Sequence, residues 1–220
     1  MAKVIIFGVK DLAELAWYYL TNDSDQEVVA FSVNSNFIPE NKSFQCLPVI
    51  DFNNIQNEMP PADYSFFAPM THKGMNKERE KIYNEIKEKG YKLISYISSR
   101  TTIYDKSKVG DNCFILEDNT IQPFVTIGSN TVLWSGNHIG HHSRIGDHVF
   151  ITSHVVISGN CIIEPYCFVG VNAAVKERTT LGEGSFIAMS TCITKDTEPY
   201  SIYSGNPEKK IKMSSLKIRF

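Results

Sequence analysis

Residues 139–157 read Ile139-Gly140-His141-His142-Ser143-Arg144-Ile145-Gly146-Asp147-His148-Val149-Phe150-Ile151-Thr152-Ser153-His154-Val155-Val156-Ile157. An isoleucine stands at every sixth position. The spacing runs outward in both directions, through Ile103, Val109, Ile115, Ile121, Ile127 and Leu133 before it and Ile163, Val169, Val175, Leu181, Ile187 and Ile193 after it. A small or medium residue sits two places before each of them, such as Cys113, Asn119, Thr131, Asn137, Ser143, Cys161 and Ala173. Gly follows several of them, at Gly110, Gly128, Gly140, Gly146, Gly170 and Gly182. Period six fits neither a 3.6-residue helix nor an alternating strand. It fits a parallel β-helix in which each hexad is a short strand plus a turn and three hexads close one triangular coil. Residues 18 apart then lie directly above one another at the strand spacing of about 4.8 Å, giving a prism roughly 25 Å long. Residues six apart lie on different faces.

Composition agrees with that reading. The chain has 220 residues with 42% hydrophobic and 21% charged, ordinary for a globular protein that needs no disulfide or metal to complete a core. It carries 24 Ile, 15 Val and 9 Leu, a β-branched bias that favours strands. Lys plus Arg number 22 against 24 Asp plus Glu, so the formal charge is -2. Nucleic acid is not the expected partner, since phosphate binding needs a basic surplus. The opening run Lys3–Phe7 is too short for a signal peptide, and no stretch reaches the roughly 18 apolar residues of a membrane span. Five cysteines without a C-x-x-C pair read as reduced thiols in a cytoplasmic protein.

Residues 1–98 follow a different rule. Short apolar runs at 3–7, 28–33, 63–68 and 93–97 alternate with helical stretches at 12–20 and 76–89. Asn76 is the expected N-cap of the second helix and Gly90 its C-terminal stop. Alternating strands and helices predict a small Rossmann-like α/β domain with a parallel sheet. The expected organisation is therefore an α/β domain over 1–98, a β-helix over 99–198 and an extension over 199–220.

Five of six histidines fall within 17 residues: His138, His141, His142, His148 and His154. His142, His148 and His154 share one hexad slot on three different edges, so they cannot ligate one ion. One histidine suffices for general-base chemistry, and its ordinary pKa near 6.5 suits that work. His141 lies in an outward turn, with Gly159 eighteen residues later directly above it. A glycine there leaves a backbone N–H accessible as an oxyanion donor.

The hexads, with Ser158-Gly159-Asn160 and the later Ser204-Gly205-Asn206-Pro207-Glu208-Lys209, resemble left-handed β-helix acyltransferases that use acetyl-CoA. The whole chain resembles the sialic-acid O-acetyltransferase-like group. Its segment 134–159 looks nearest to the enzymes that N-acetylate nucleotide-linked 4-amino-4,6-dideoxy sugars of the viosamine type, with the perosamine and bacillosamine types close by. The resemblance implies acetyl-CoA as co-substrate, no metal, and a homotrimer with sites between subunits. It also implies His141 as base, with His142 standing where the family carries an acidic neighbour, and Gly159 as oxyanion donor. Val171 and Met189 fall on its thioester and pantetheine contacts, with Lys195 and Lys209 near the coenzyme phosphates. Gly8, Lys10, Asn34, His72, Lys73, Asn137 and His138 are the candidate substrate contacts. Gly8-Val9-Lys10-Asp11 has a single Gly, so it is no dinucleotide fingerprint; the loop before the second helix is a natural anion site. Two alternatives remain from sequence: O-acetylation of a sugar by the same machinery, and a non-catalytic β-helix scaffold.

Overall fold

Six-residue spacing becomes three stacked sheets in the computed structural model, which describes residues 3–206 and 209–218. Two-residue strands end on the hexad aliphatics. Thr120–Ile121 pairs in parallel with His138–Ile139, His138–Ile139 with Val156–Ile157, and Val156–Ile157 with Ala174–Val175. A second face runs through Thr126–Ile127, Arg144–Ile145, Ile162–Ile163 and Thr180–Leu181. A third runs through Phe114–Ile115, Val132–Leu133, Phe150–Ile151, Phe168–Val169 and Phe186–Ile187. Each of these pairings joins residues 18 apart, as the register predicts. The aliphatics and the residues two places before them fill one continuous core. The rule ends at the last step of the third face, where Phe186 pairs with Ile202 and Ser201–Ser204 turns back against Lys209–Ser214 as an antiparallel hairpin. Pro207 and Glu208 of the closing motif lie outside the described residues.

The corners have a shared backbone. Asn112, Asp118, Phe124, Asn130, His142, His148, His154, Asn160, Tyr166, Asn172, Arg178 and Ser190 all have φ between 52° and 67°, with Gly136 and Gly184 completing the series. Each lies three residues before a core aliphatic. Asn, Asp and His tolerate this left-handed region better than other side-chain residues, which explains why the slot shared by His142, His148 and His154 collects such residues. The three sit on three different corners.

The chain divides into two compact units, residues 1–71 with 81–96, and residues 72–80 with 97–220. In the first, β1 (Lys3–Phe7), β2 (Glu27–Val33), β3 (Ser43–Phe44), β4 (Leu47–Asp51), β5 (Tyr64–Phe67) and β6 (Lys92–Leu93) form one sheet in the order β3-β4-β2-β1-β5-β6. All neighbours are parallel except the β3–β4 pair. Helices α1 (Asp11–Asn22) and α2 (Ile55–Glu58) punctuate it, together with residues 81–88 of α3 (Lys77–Glu88). Its core joins Ile5, Phe52, Phe66, Ile82 and Ile86. The strand expected at 93–97 is corrected: Lys92–Leu93 belongs to this sheet and Tyr96–Ile97 to the third face of the prism. β4 and α2 went unread in the sequence.

Glycines after the aliphatics mark where one coil passes close to the next. A Cβ on Gly128 would lie 2.6 Å from the carbonyl carbon of Gly146 and 2.7 Å from the nitrogen of Asp147. Neither backbone atom can yield without moving the stacked coil. Gly128→Ala is expected to destabilise the protein by about 1–3 kcal/mol, read as a lowered urea midpoint with unchanged slope; an unchanged midpoint would contradict coil-to-coil packing as the constraint.

Candidate active site

His141 and His142 stand at the turn between the first and second faces. The His141 and His142 Nδ1 atoms are 3.1 Å apart, and their rings meet edge-on with centroids 5.2 Å apart. Both side chains are exposed. One coil later, a Cβ on Gly159 would fall 2.7 Å from His141 Cε1 and 2.8 Å from Nε2. The imidazole therefore lies flush against this glycine, and any larger residue would displace it. The Gly159 N–H makes no hydrogen bond among the described residues; its carbonyl accepts from Arg178 N at 3.0 Å. The His141 carbonyl accepts from Asn160 N at 2.8 Å, tying the two turns together. A basic ring and an uncommitted N–H thus share one small surface. Of the two tautomers that satisfy the histidine pair, the one with His141 Nδ1–H donating to His142 leaves Nε2 free to accept a proton.

Other expected residues are distributed elsewhere. Val171 and Met189 lie on the corner between the third and first faces. Val171 accepts from Ser190 N at 2.7 Å, and a Cβ on Gly170 would come 2.6 Å from the Met189 nitrogen. Met189 is exposed, as is Lys195. His138 is half-buried on the first face between Thr120 and Val156. Asn137 is corrected as a substrate contact. It is 1% exposed, donates to Trp134 O and accepts from Val155 N at 2.8 Å, so its amide is spent on holding coils together.

His72 is half-buried. It packs against Phe150 at 5.0 Å and Phe168 at 4.6 Å between centroids, and burial pushes its pKa below 6.5, favouring the neutral ring. Lys73 is exposed and paired with Glu78 at 3.1 Å. The Asn76 side chain does not cap α3; at φ 68° its amide donates to Tyr166 O at 2.9 Å and its oxygen accepts from Arg79. Arg79 was missed altogether. It is 1% exposed and donates to the carbonyls of Asn130, His148 and Val149 at 2.9–3.1 Å. Complete burial pulls its pKa down to about 9, still a cation at neutral pH. Residues 72–80 thereby lie along the ladder formed by Asn112, Asn130, His148 and Tyr166. In that ladder Asn130 Nδ2 lies 2.8 Å from His148 Nδ1, and the His148 and Tyr166 rings stack at 5.2 Å.

Within the first unit, Gly8 has φ 121° and Lys10 precedes α1, with its Nζ 6.0 Å from the Phe37 ring centroid. Asp11 and Glu14 occupy the first turn of α1, which repels a phosphate there. Asn34 is half-buried at the end of β2. Beside it lies a group absent from the sequence reading: Asp51 accepts from Ser35 Oγ at 2.7 Å and from Asn53 N at 3.0 Å, and these bonds hold its carboxyl below the usual range. The signal was an acidic residue closing the Leu47–Asp51 run. A hollow of about 510 Å³ is lined by Lys3, Asp63, Tyr64 and Lys92 among others and holds no expected site residue. Among the described residues, no helix is long and apolar enough to cross a membrane, and no group of three or more His, Cys, Asp or Glu is arranged to hold a metal ion.

Residues 124–159 match the family described as bacterial transferase hexapeptide (six repeats). A probable macrolide acetyltransferase of Lysinibacillus sphaericus is 44% identical over 55 residues, 24% of this chain and 31% of that protein. The match thus spans about a third of that relative's length. Two solved structures agree over nearly the whole chain. The acetyltransferase domain of PglB from Neisseria gonorrhoeae has a TM-score of 0.83 at 18% identity, covering 96% of this chain and 100% of that one. A mutant perosamine N-acetyltransferase from Caulobacter crescentus, in complex with CoA and GDP-perosamine, has 0.83 at 16%, covering 97% and 98%. These likenesses establish the fold. The sheets and repeats fit a left-handed β-helix, and the resemblance to hexapeptide-repeat sugar acetyltransferases is borne out.

His72 and His148 both have pKa values pushed below 6.5, burial being the largest cause for each. Around His148, the Glu80 and Asp147 carboxylates oppose that shift, while Arg79 and Lys77 reinforce it. The unfolded chain therefore binds protons near pH 6.5 that the folded chain refuses, and stability falls as pH drops below that value. Glu80, whose pKa is lowered, adds to the loss at still lower pH. The urea midpoint is expected to fall from pH 7.5 to pH 5.5, and to fall less in His148→Gln. A midpoint flat across that range would contradict the neutral, buried histidines.

Proposed function

We propose that this chain transfers the acetyl group of acetyl-CoA to the amino group of a nucleotide-linked 4-amino-4,6-dideoxy sugar, with dTDP-4-amino-4,6-dideoxyglucose the best candidate. The observation that carries the reading is the His141 imidazole lying against Gly159, whose N–H is uncommitted. The neighbour bound to CoA and GDP-perosamine supports the reactant classes.

In this reading the sugar amine attacks the thioester carbonyl carbon. His141 Nε2 takes the amine proton, and the Gly159 N–H holds the oxyanion that forms. Collapse breaks the C–S bond and releases CoA as thiolate, which takes up a proton. No cysteine stands in the His141 column, so transfer is direct and requires both substrates bound together. His142 accepts a hydrogen bond from His141 Nδ1 and fixes its tautomer, a neutral substitute for a carboxylate. Val171 and Met189 would receive the pantetheine arm through backbone groups, and Lys195 and Lys209 its phosphates. Val171 and Met189 occupy a different corner from His141, which favours a homotrimer whose sites combine one subunit's His141 corner with a neighbour's Val171 corner. Gly8, Lys10 and Asn34 would meet the nucleotide, joined by Asp51, and His138 and Lys73 the sugar side. A cytoplasmic enzyme supplying amino sugars for surface polysaccharide fits these reactants.

The test is a mass-spectrometric acetylation assay with dTDP-, UDP- and GDP-linked amino sugars and their 4-hydroxy counterparts. An N-acetylated dTDP-amino sugar is expected; acetylation of the hydroxy sugars alone, or no CoA-dependent product, would overturn the reading. With the preferred acceptor, His141→Asn is expected to lower kcat by about 10²–10⁴-fold with KM little changed. A kcat near wild type would remove His141 as the base.

A further inference from the structure

We propose that Gln122-Pro123-Phe124, one coil below the histidine pair, is a positioning cradle that sets the orientation and tautomer of His141. The proposal rests on the reading of His141 as a proton acceptor. Each of the three residues holds a different group of the dipeptide. Gln122 Oε1 accepts the His141 backbone N–H at 2.8 Å. The Pro123 carbonyl accepts the His142 N–H at 3.3 Å. The Phe124 ring packs on the His142 ring, with centroids 4.6 Å apart and planes at 36°. The contact series then runs Phe124, His142, His141, the last step being the 3.1 Å approach of the two Nδ1 atoms.

Phe124 is an expensive choice for its place. It occupies the left-handed corner slot at φ 67°, where a bulky L-residue is an outlier. Its side chain is also 73% exposed, so burial returns little for the strain. Its neighbours in the slot series, Asp118 and Asn130, suit the backbone better. Strain of this kind concentrates where a geometry is being held for function. What Phe124 holds is the His142 ring. Without it, that exposed imidazole is free to turn about χ1 and χ2, and Nδ1 leaves His141. The His141 ring then loses the partner that selects the tautomer with an unprotonated Nε2. Phe124 acts through His142 and touches no reacting atom.

Phe124→Asn is the informative variant. Asn fills the same slot at positions 112, 130, 160 and 172 with the same backbone, so the coil keeps its fold while losing the ring. Two readouts separate the proposal from the function it rests on. The first is ¹⁵N NMR of histidine-labelled full-length chain without substrate, the His141 signals being identified by their loss in His141→Asn. A single tautomer with protonated Nδ1 is expected in wild type, and a mixture in Phe124→Asn and in His142→Asn, with Phe124→Tyr restoring the wild-type pattern. The second is kinetic. Phe124→Asn is expected to lower kcat roughly tenfold with KM for both substrates within about twofold, and to have no further effect in a His142→Asn background. Unchanged His141 signals in Phe124→Asn would overturn the proposal whatever the activity, as would additive kinetic losses in the double variant. Tautomer signals that shift as expected in a chain that acetylates nothing would sustain the cradle and reject the transferase reading.

Discussion

Every hexad of the prism from Asn112 to Ser190 turns on one residue held in the left-handed backbone region. That conformation costs an L-residue about 1–2 kcal/mol, and it recurs at each hexad from Asn112 to Ser190. The cost is met by what the turn permits: an aliphatic pointing inward three residues later, and an N–H and C=O aligned to the coils on either side. Chains such as Asn160 N to His141 O and Arg178 N to Gly159 O repeat at this spacing. Because the spacing never slips between 103 and 193, any side chain added at one corner is stacked in register with residues 18 away. The positions of His141, Gly159, Gln122 and Phe124 all follow from that one constraint.

The same constraint sorts the histidines. Crowded together in sequence, they separate into different environments once the chain is wound. His148 is drawn into a buried ladder with Asn130 and Tyr166. His154 lies over Gly136, where a Cβ would come 2.6 Å from its Nδ1. His142 faces Phe124, and His141 faces Gly159. Only the last pairing puts a titratable ring beside an uncommitted backbone donor. Proximity in sequence was therefore a poor guide to shared chemistry, and register a good one.

The prism was legible because each aliphatic meets the same environment, so one pattern repeats until it cannot be chance. The pairing of Gly159 with His141 was legible for the same reason, being a statement about register. Burial of Arg79 was not legible: its three carbonyl acceptors belong to residues 51–70 positions away, and an arginine within Lys77-Glu78-Arg79-Glu80 reads as a solvated helix face. Asn76 misled because its side chain serves those long-range contacts in place of the helix end. The Leu47–Asp51 strand was hidden by Pro48, which pairs at the antiparallel edge with Ser43. Phe124 escaped notice because the slot it occupies is defined by backbone conformation, which its own identity disguises.

What the fold offers, then, is an edge on which an imidazole and an uncommitted backbone N–H are held side by side by stacking. A crystal structure of the full chain with coenzyme A bound tests this most directly. The coenzyme's sulfur is expected beside the His141 corner, with the Gly159 N–H directed at the position of the acyl oxygen and His141 Nε2 facing the acceptor side. Coenzyme bound with its sulfur remote from both residues would contradict it.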